Sequence, residues 1–359
     1  MSEQVASNAE PGATTLWYTR CPLPTASAVA IDHGFLARRF EGTGIEVRSV
    51  QSTADETLRR AHFDHAARHL FRQGGNIPPI WSRSRGADTC VVGIATTREY
   101  QAIVARPDSR IRTPADLRGA RLALPRRRSE PIDYWRAMCL RGYESALALA
   151  GLTLADVDLV DLDVTESYID DPAQGSRTHM PLWGPASRAR RQQAEVFAFV
   201  RGEIDALYTS GALGVQTAAL LGAREIVEVG LQGDVAAGIN NQVPNLLTVD
   251  RALARERPEI VARYIVALHE AAHWSLDHAD AAMRSFAREI GTAEEWLPTA
   301  YGEALMPSLT LTLDAAAIAM VGEQARFLRR HGFIDADVAI EPWIERGPLR
   351  IAQQEVQQQ

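Results

Sequence analysis

The sequence TLWYTRCPLPTASAVAIDHG, residues 15–34, predicts a strand, a sharp turn and a helix in succession. β-Branched and aromatic side chains up to Cys21 favour a strand, whereas the two prolines that follow exclude both ladder pairing and helix. Thr25 is placed to cap a helix, and Gly34 is suited to the left-handed conformation that ends one. The thiol of Cys21 is therefore predicted to lie at a strand-to-helix turn.

This position gives Cys21 two possible roles. The positive end of a helix dipole favours a thiolate and binds anions, so a cysteine beside it can be reactive. A buried, unreactive cysteine is the more common role for this residue type. The stretch itself leaves both roles open.

The following sequence extends this unit into an α/β fold. Residues 44–50 alternate like a second strand, which completes a βαβ opening. The further predicted strands are 90–95, 102–105, 120–125, 157–164, 202–208, 224–229 and 245–249, with helices at 131–150, 190–201 and 258–276. Residues 165–188 are rich in Asp, Pro, Gly and Ser and are predicted to form a long surface loop.

The composition is typical of a soluble globular protein. The chain has 359 residues, of which 46% are hydrophobic and 23% are charged, with a net charge of -7. The negative charge gives no reason to expect a nucleic-acid partner. No apolar run approaches the ~20 residues needed to cross a bilayer, and the N-terminus lacks a secretory pattern. We expect a cytoplasmic, monomeric protein with no membrane partner.

The cysteine and lysine contents exclude several kinds of chemistry. Cys21, Cys90 and Cys139 are widely spaced and odd in number, which favours reduced thiols over a disulfide framework or a metal site. All 38 basic residues are arginine, because the sequence contains no lysine. Schiff-base, pyridoxal phosphate and P-loop chemistry all need a lysine amine and are excluded. No cofactor is expected.

Three segments resemble type II periplasmic-binding-like proteins of the nitrate, sulfonate and taurine group. They are TPADLRGARLALP at 113–125, GEIDALY at 202–208 and NLLTVD at 245–250, the last followed by a helix that starts with proline. This resemblance implies two α/β lobes with mixed sheets that close on an anion in the cleft between them. The implied lobe I comprises 14–109 and 227–359, and lobe II comprises 110–226.

Three shorter segments resemble the active-site segments of one enzyme family in that group. YTRCPLP at 18–24, AHF at 61–63 and RQGGNIPP at 72–79 are similar to the 2'-hydroxybiphenyl-2-sulfinate desulfinase family, which acts last in dibenzothiophene desulfurisation. The resemblance implies an enzyme that cleaves the C–S bond of an aromatic sulfinate and releases sulfite. It places the family's catalytic cysteine, histidine and arginine on Cys21, His62 and Arg72, and its glycine backbone donor on Gly75. Thr19, Phe63 and Gly74 lie in the same segments and are also expected to contact substrate.

These residue types suit the chemistry of a sulfinate. A guanidinium offers two parallel donors to a pair of anionic oxygens, which is the expected role of Arg72. Gly75 lacks a Cβ, so its N–H can approach the same oxygens. Cys21 can either attack sulfur as a thiolate or protonate the ring carbon as a general acid, and the sequence leaves both routes open. His62 would adjust or exchange the thiol proton in either route.

The segment between His62 and Arg72 poses a geometric problem. Ser52 or Thr53 is placed to cap a helix that would run to the Gly-Gly pair at 74–75, and ten residues of helix span about 15 Å. We therefore predict that the segment bends, or that its helix starts after His62. Ala66 replaces a proline of the family, which favours a longer helix here.

The hydrophobic part of the substrate is expected to contact Phe63, Trp17, Trp81 and the loop around Trp183. The stretch after residue 125 does not match the desulfinase family visibly. The organic part of the substrate is therefore open at this stage.

Two other functions compete with the desulfinase hypothesis. Most proteins of the type II binding fold only bind a ligand, so a non-catalytic binding protein for a sulfonate or another small anion is the alternative. The run His269-Glu270-Ala271-Ala272-His273 fits the HExxH pattern, in which His269 and His273 bind zinc and Glu270 is the base. The surrounding βαβ pattern is not that of a zinc peptidase, so no metal is expected.

Overall fold

The computed structural model describes residues 14–50, 53, 55–165, 192–232 and 234–358. The predicted loop 165–188, with Trp183, lies almost wholly outside the described residues. Ser52, one of the two predicted helix caps, also lies outside the described residues.

The strands of the described residues reproduce the predicted order along the chain. They are β1 (Thr14–Arg20), β2 (Ile45–Ser49), β3 (Leu70–Gly75), β4 (Thr89–Ala95), β5 (Gln101–Ala105), β6 (Arg121–Arg127), β7 (Asp158–Val164), β8 (Ala206–Ser210), β9 (Arg224–Glu228) and β10 (Asn245–Asp250). Of these, β3 was not predicted.

Helices separate most of the strands and form most of the region after β10. The α-helices are α1 (Ala26–Asp32), α2 (Phe35–Phe40), α3 (Glu56–Asp64), α4 (Ile77–Ser84), α5 (Tyr134–Ala148), α6 (Gln193–Val200), α7 (Gly211–Leu220), α8 (Arg251–Glu256), α9 (Pro258–Asp277), α10 (Ala279–Ile290), α11 (Leu297–Tyr301), α12 (Ala315–Arg330) and α13 (Gly347–Gln357). Short 3-10 turns lie at Pro114–Leu117, Leu154–Asp156, Glu294–Trp296, Pro307–Leu309 and Glu341–Trp343.

The strands form two mixed sheets of five. The first has the order β2-β1-β3-β10-β4, and the second has the order β7-β6-β8-β5-β9. The chain returns to the first sheet with β10, after it has built the second, and β10 runs antiparallel to both of its neighbours. The predicted α/β class with two mixed sheets is thus confirmed.

The chain crosses from the first sheet to the second before the predicted boundary between the lobes. β5 was assigned to lobe I (14–109), but it pairs antiparallel with β8 and β9 of the second sheet. β9 also extends past the predicted limit of lobe II (110–226). The hydrogen-bonding partners of a strand decide its sheet, and the sequence does not reveal them. As a division into domains, the predicted lobes stay a prediction.

Successive side chains of β3 point to opposite faces of the sheet, so that one face packs on the core and the other carries the candidate site. The Phe71 ring stacks on Tyr264 of α9, with ring centroids 3.9 Å apart and an angle of 4° between the planes. Arg72, the next residue, projects to the opposite face of the sheet because side chains alternate along a strand. Its side chain is fully buried. Packing of α9 on one face therefore leaves the other face free to carry polar groups.

The segment between His62 and Arg72 bends, as the distance argument predicted. α3 ends at Asp64, and His65 takes a left-handed conformation with φ of 55°. His69 also has φ of 55°, and β3 begins at the next residue. The predictions of a longer helix at Ala66, and of a helix ended by the Gly-Gly pair at 74–75, were wrong. These glycines lie at the end of a strand.

Asp55 caps α3, in place of the predicted Ser52 or Thr53. Its carboxylate accepts hydrogen bonds from the backbone N–H groups of Thr57 and Leu58, at 2.9 and 3.3 Å. An aspartate is also favoured by the helix dipole at this end. Within the described ranges, no helix combines the length and the apolar character needed to cross a bilayer.

Candidate active site

Cys21 lies where β1 gives way to α1, as predicted. Its backbone N–H donates to the carbonyl of Gln73 at 3.2 Å, which ties the turn to β3. The hydroxyl of Thr25 accepts from the N–H of Ala28 at 3.2 Å and caps α1. Cys21 is 9% exposed, whereas Cys90 and Cys139 are 0% and 1% exposed. Of the three thiols, that of Cys21 is thus the most accessible.

His62 approaches Cys21 from the last turn of α3. Its Nε2 lies 3.7 Å from Sγ of Cys21, and its Nδ1 lies 2.8 Å from the hydroxyl oxygen of Thr19. The ring packs edge-on against Phe63. The imidazole therefore lies between the thiol of Cys21 and the hydroxyl of Thr19 on β1, and Phe63 supports the ring from the side.

Arg72 reaches the same thiol from β3. Its Nε donates to the carbonyl of His62 at 2.9 Å, and Nη1 donates to the carbonyl of Gly75 at 2.8 Å. Its Nη2 lies 3.3 Å from Sγ of Cys21. The structure therefore brings the three predicted catalytic side chains together around one sulfur atom.

Burial and Arg72 together keep the histidines of this site neutral. Desolvation, followed by the positive charge of Arg72, holds the pKa of His62 well below its usual range. The same two causes lower the pKa of His65 to about 3. Burial also lowers the pKa of Arg72, and the adjacent Cys21 opposes that shift. At neutral pH the imidazole of His62 is therefore uncharged, with Nε2 at 3.7 Å from Sγ of Cys21.

These shifts predict a pH-dependent stability. Unfolded histidines bind a proton near their usual pKa of 6.5, while the folded protein resists protonation of His62 and His65. Stability should be complete above that pH and decrease as pH falls toward 3, by up to about 1.4 kcal/mol per pH unit for each histidine. Urea unfolding between pH 7.5 and 5 measures the slope. His65→Gln should remove the contribution of one histidine to the dependence of the unfolding free energy on pH. An unchanged slope in this variant would contradict the lowered pKa of His65.

Gly74 provides the space that the thiol occupies. A Cβ at this position would lie 2.3 Å from Sγ and 2.8 Å from Cβ of Cys21. Real Cβ atoms do not approach other atoms so closely. Cys21 cannot move away freely, because its backbone N–H is bonded to the Gln73 carbonyl, next to Gly74 in β3. The glycine is thus required by packing; its predicted contact with substrate stays a prediction.

Gly74→Ala should separate the thiol from its partners. We expect about a hundredfold loss of catalytic activity, since displacements near 1 Å have costs of that order, together with about 1–3 kcal/mol of lost stability. Gly93→Ala is the matched control. Gly93 lies in β4 of the same sheet, and a Cβ there would lie 2.9 Å from Leu311 without touching the site. Assays below both melting temperatures should show the activity loss in Gly74→Ala alone. Equal activity in the two variants would exclude this role.

Gly75 has a neighbour that the sequence did not indicate. The carboxamide of Asn241 occupies the space of a Cβ at Gly75, at 2.6 Å. Its Oδ1 accepts from the N–H of Ile77 at 2.9 Å, and its carbonyl accepts from the N–H of Asn76 at 2.6 Å. The absence of a side chain at Gly75 thus lets the segment returning from the second sheet pack on the site. No local pattern around Asn241 signals this contact.

The residues predicted to contact the hydrophobic part of the substrate lie away from the thiol or within the core. Phe63 is 1% exposed. Trp17 packs against the core. Trp81 borders an open groove of about 500 Å³ that does not include Cys21, and Arg85 stacks on its ring at 5.4 Å. Substrate contact by these residues stays a prediction.

The HExxH helix does not assemble a metal site. The carboxylate of Glu270 forms an ion pair with Arg39, which also bonds Glu355 at 2.8 Å. His273 is exposed, whereas His269 is half-buried. In the part of the chain that the structure describes, no three His, Cys, Asp or Glu side chains are grouped to hold a metal ion. The pattern is thus used for an ion pair between helices.

Comparison with known proteins supports the desulfinase resemblance. No protein-family model matches the chain. The chain is 29% identical to 2'-hydroxybiphenyl-2-sulfinate desulfinase of Rhodococcus erythropolis over 348 residues, which cover 92% of this chain and 91% of that enzyme. This similarity extends far beyond the three short segments that first suggested it.

Solved structures give the same result. A cysteine-to-serine mutant of the desulfinase DszB, crystallised with biphenyl-2-sulfinic acid, superposes with a TM-score of 0.74 and 25% identity over 96% of this chain and 99% of that one. The aliphatic sulphonate binding protein SsuA from Escherichia coli gives 0.62 with 17% identity, over 93% and 92% of the two chains. The resemblance to the desulfinase and to the type II binding fold is therefore confirmed.

Proposed function

We propose that this protein cleaves the C–S bond of an aromatic sulfinate and releases sulfite. The observation that carries the proposal is the environment of Arg72. Its guanidinium is completely buried, and among the described residues no carboxylate lies within 4.0 Å of it. A buried cation without an anionic partner is costly, and Nη2 of this guanidinium lies 3.3 Å from Sγ of Cys21. Such a group is suited to receive an anion.

The hydrogen bonds of Arg72 fit a sulfinate. Two of its five N–H groups hold the backbone carbonyls of His62 and Gly75, and a third faces Cys21. Two N–H groups remain for the two sulfinate oxygens. The backbone bonds fix the plane of the guanidinium before substrate arrives, so little ordering is needed on binding. The proposed arrangement places the sulfinate beside the thiol.

Charge balance favours an uncharged Cys21 in the substrate complex. Arg72 and a sulfinate together are neutral, whereas an added thiolate would leave one negative charge in a buried site. We therefore assign the general-acid role to Cys21. Its S–H proton bonds to the ring carbon, the C–S bond breaks, and the sulfur leaves as sulfur dioxide. Water then converts sulfur dioxide to bisulfite and releases one proton.

His62 returns that proton to the thiolate. The neutral imidazole can carry a proton on Nε2, 3.7 Å from Sγ, while Nδ1 accepts from the hydroxyl of Thr19. Arg72 stabilises the thiolate during the interval, because Nη2 faces it and the anionic sulfinate is gone. This sequence regenerates the thiol without a cofactor. A covalent Cys21 sulfur adduct in rapidly quenched samples would overturn the general-acid assignment while leaving C–S cleavage intact.

The substrate class follows from the relatives and not from the pocket. The similar curated enzyme is named for 2'-hydroxybiphenyl-2-sulfinate, and DszB was crystallised with biphenyl-2-sulfinic acid. We extend the class, an aryl sulfinate, to this chain. We also propose that the protein acts as a cytoplasmic monomer, which cell fractionation and sedimentation would test.

Sulfite release from biphenyl-2-sulfinate and smaller aryl sulfinates tests the proposal. Purified protein should release one sulfite for each arene formed, over many turnovers and in the presence of a chelator. Binding of these anions without any turnover would instead identify a binding protein of the SsuA type. The assay measures both products, so slow chemical loss of sulfite from the substrate can be subtracted.

A further inference from the structure

Arg72 lies between two threonines in one row across the first sheet. Thr19 of β1 pairs with Arg72 of β3, and Arg72 pairs with Thr248 of β10. Residues that pair across neighbouring strands project to the same face of a sheet. The two hydroxyl groups therefore flank the arginine on the face that carries the thiol.

Each of these two threonines contacts the ring of one histidine, which lies either in α3 or immediately after its end. Thr19 contacts His62 as described above, and the hydroxyl of Thr248 lies 3.0 Å from Nε2 of His65. His65 is 7% exposed, and its Nδ1 lies 3.1 Å from the hydroxyl of Ser82 on α4. The hydrogen-bonding capacity of the His65 ring is thus used on both sides.

These contacts fix the part of α3 that Arg72 needs. His62 belongs to the last turn of the helix, where backbone carbonyls have no partner within the helix and where helices fray. Arg72 uses the His62 carbonyl as the acceptor for Nε. His65 lies one residue beyond the end of the helix and is bound to both β10 and α4. Any movement of the turn would shift the carbonyl and the ring of His62 together.

We propose that His65, held by Thr248 and Ser82, is a positioning residue that keeps His62 and Arg72 in register with Cys21. Its ring bonds Thr248 and Ser82 and not the thiol of Cys21, and it acts through the last turn of α3. The catalytic consequence rests on the proposed function, but the geometric claim does not. His65 and Thr248 were not among the residues predicted from sequence.

Thr248→Val tests the proposal, because it removes the hydroxyl and nearly preserves the shape. We expect kcat for sulfite release to fall about tenfold while KM changes by less than about threefold, since substrate contacts remain. Thr248→Ser should restore kcat. Without substrate, the ring nitrogen NMR signals of His62 should shift or broaden, and the rate of Cys21 alkylation by iodoacetamide should change severalfold.

Thr89→Val is the matched control. The Thr89 hydroxyl is also buried on the first sheet, where it accepts from Nε1 of Trp343 at 3.2 Å, far from the thiol. If His65 had a structural role only, both valine variants would lose stability with wild-type kcat, His62 signals and alkylation rates, and the proposal would be overturned. Should the wild type release no sulfite, the proposed function fails, while the NMR and alkylation comparisons still decide this inference.

Discussion

Cys21→Ser should abolish sulfite release almost completely, by about 10³-fold or more. The serine hydroxyl is a far weaker acid than a thiol, so it cannot supply a proton to the ring carbon or form a nucleophile at neutral pH. Its smaller oxygen fits the space beside Gly74, so the fold should be retained. Affinity for biphenyl-2-sulfinate should remain within severalfold of the wild type, because Arg72 keeps its fixed orientation.

Cys139→Ser provides the control for loss of a buried thiol. Cys139 is 1% exposed and lies on α5, which packs on the second sheet, away from Arg72 and His62. The Cys139→Ser variant should keep kcat, and iodoacetamide should modify one thiol in it, that of Cys21. In the Cys21→Ser variant the reagent should modify no thiol at the active site. Burial also raises the pKa of Cys90 to about 12, which protects that thiol from the reagent. Retained turnover in Cys21→Ser would disprove a catalytic thiol.

Local sequence patterns predicted the position of Cys21 correctly because all the relevant signals are local. A β-branched strand, two prolines and a capping threonine specify the turn within a few residues, and the hydrogen bond to Thr25 confirms the cap. The convergence with His62 and Arg72 came only from resemblance. Their separation along the chain means that no pattern of propensity could have placed them at one sulfur atom.

The error at β3 has a specific physical cause. His62, His65, His69 and Arg72 recur at helical spacing, so the segment looks like one face of a long helix. Instead, His65 and His69 adopt left-handed conformations that are uncommon outside glycine. The Asp64 carboxylate accepts from the N–H of Ala66 at 2.9 Å and stabilises the turn. Burial of His65 against β10 overrides the local preference for helix.

The role of Gly74 could not be predicted because it depends on tertiary packing. A Gly-Gly pair after a helical pattern usually signals a helix end. Here the missing Cβ matters because Cys21, distant in sequence, occupies that volume. Asn241 and Thr248 were missed for the same reason, since both reach the site from the strand and segment that return from the second sheet.

Arg72→Lys should reduce kcat/KM by about 10³-fold, although it preserves the charge. A lysine ammonium cannot hold the His62 and Gly75 carbonyls, face Cys21 and present two parallel donors to a sulfinate at once. KM should rise and kcat should fall together, because the same fork binds substrate and stabilises the transient thiolate. Biphenyl-2-sulfinate should no longer raise the melting temperature of the variant.

Arg251→Lys separates this effect from simple loss of a buried arginine. Arg251 also bonds backbone carbonyls, those of Thr89 and Pro342, but it has a carboxylate partner, Asp88, at 3.1 Å. Both lysine variants leave buried carbonyls with poorer partners, which costs about 1–3 kcal/mol for each group left unpaired. Only Arg72→Lys should lose turnover and stabilisation by ligand. If Arg72→Lys bound and cleaved the sulfinate like the wild type, a single positive charge would be enough for the reaction, and the proposed two-donor role of the Arg72 guanidinium would be wrong.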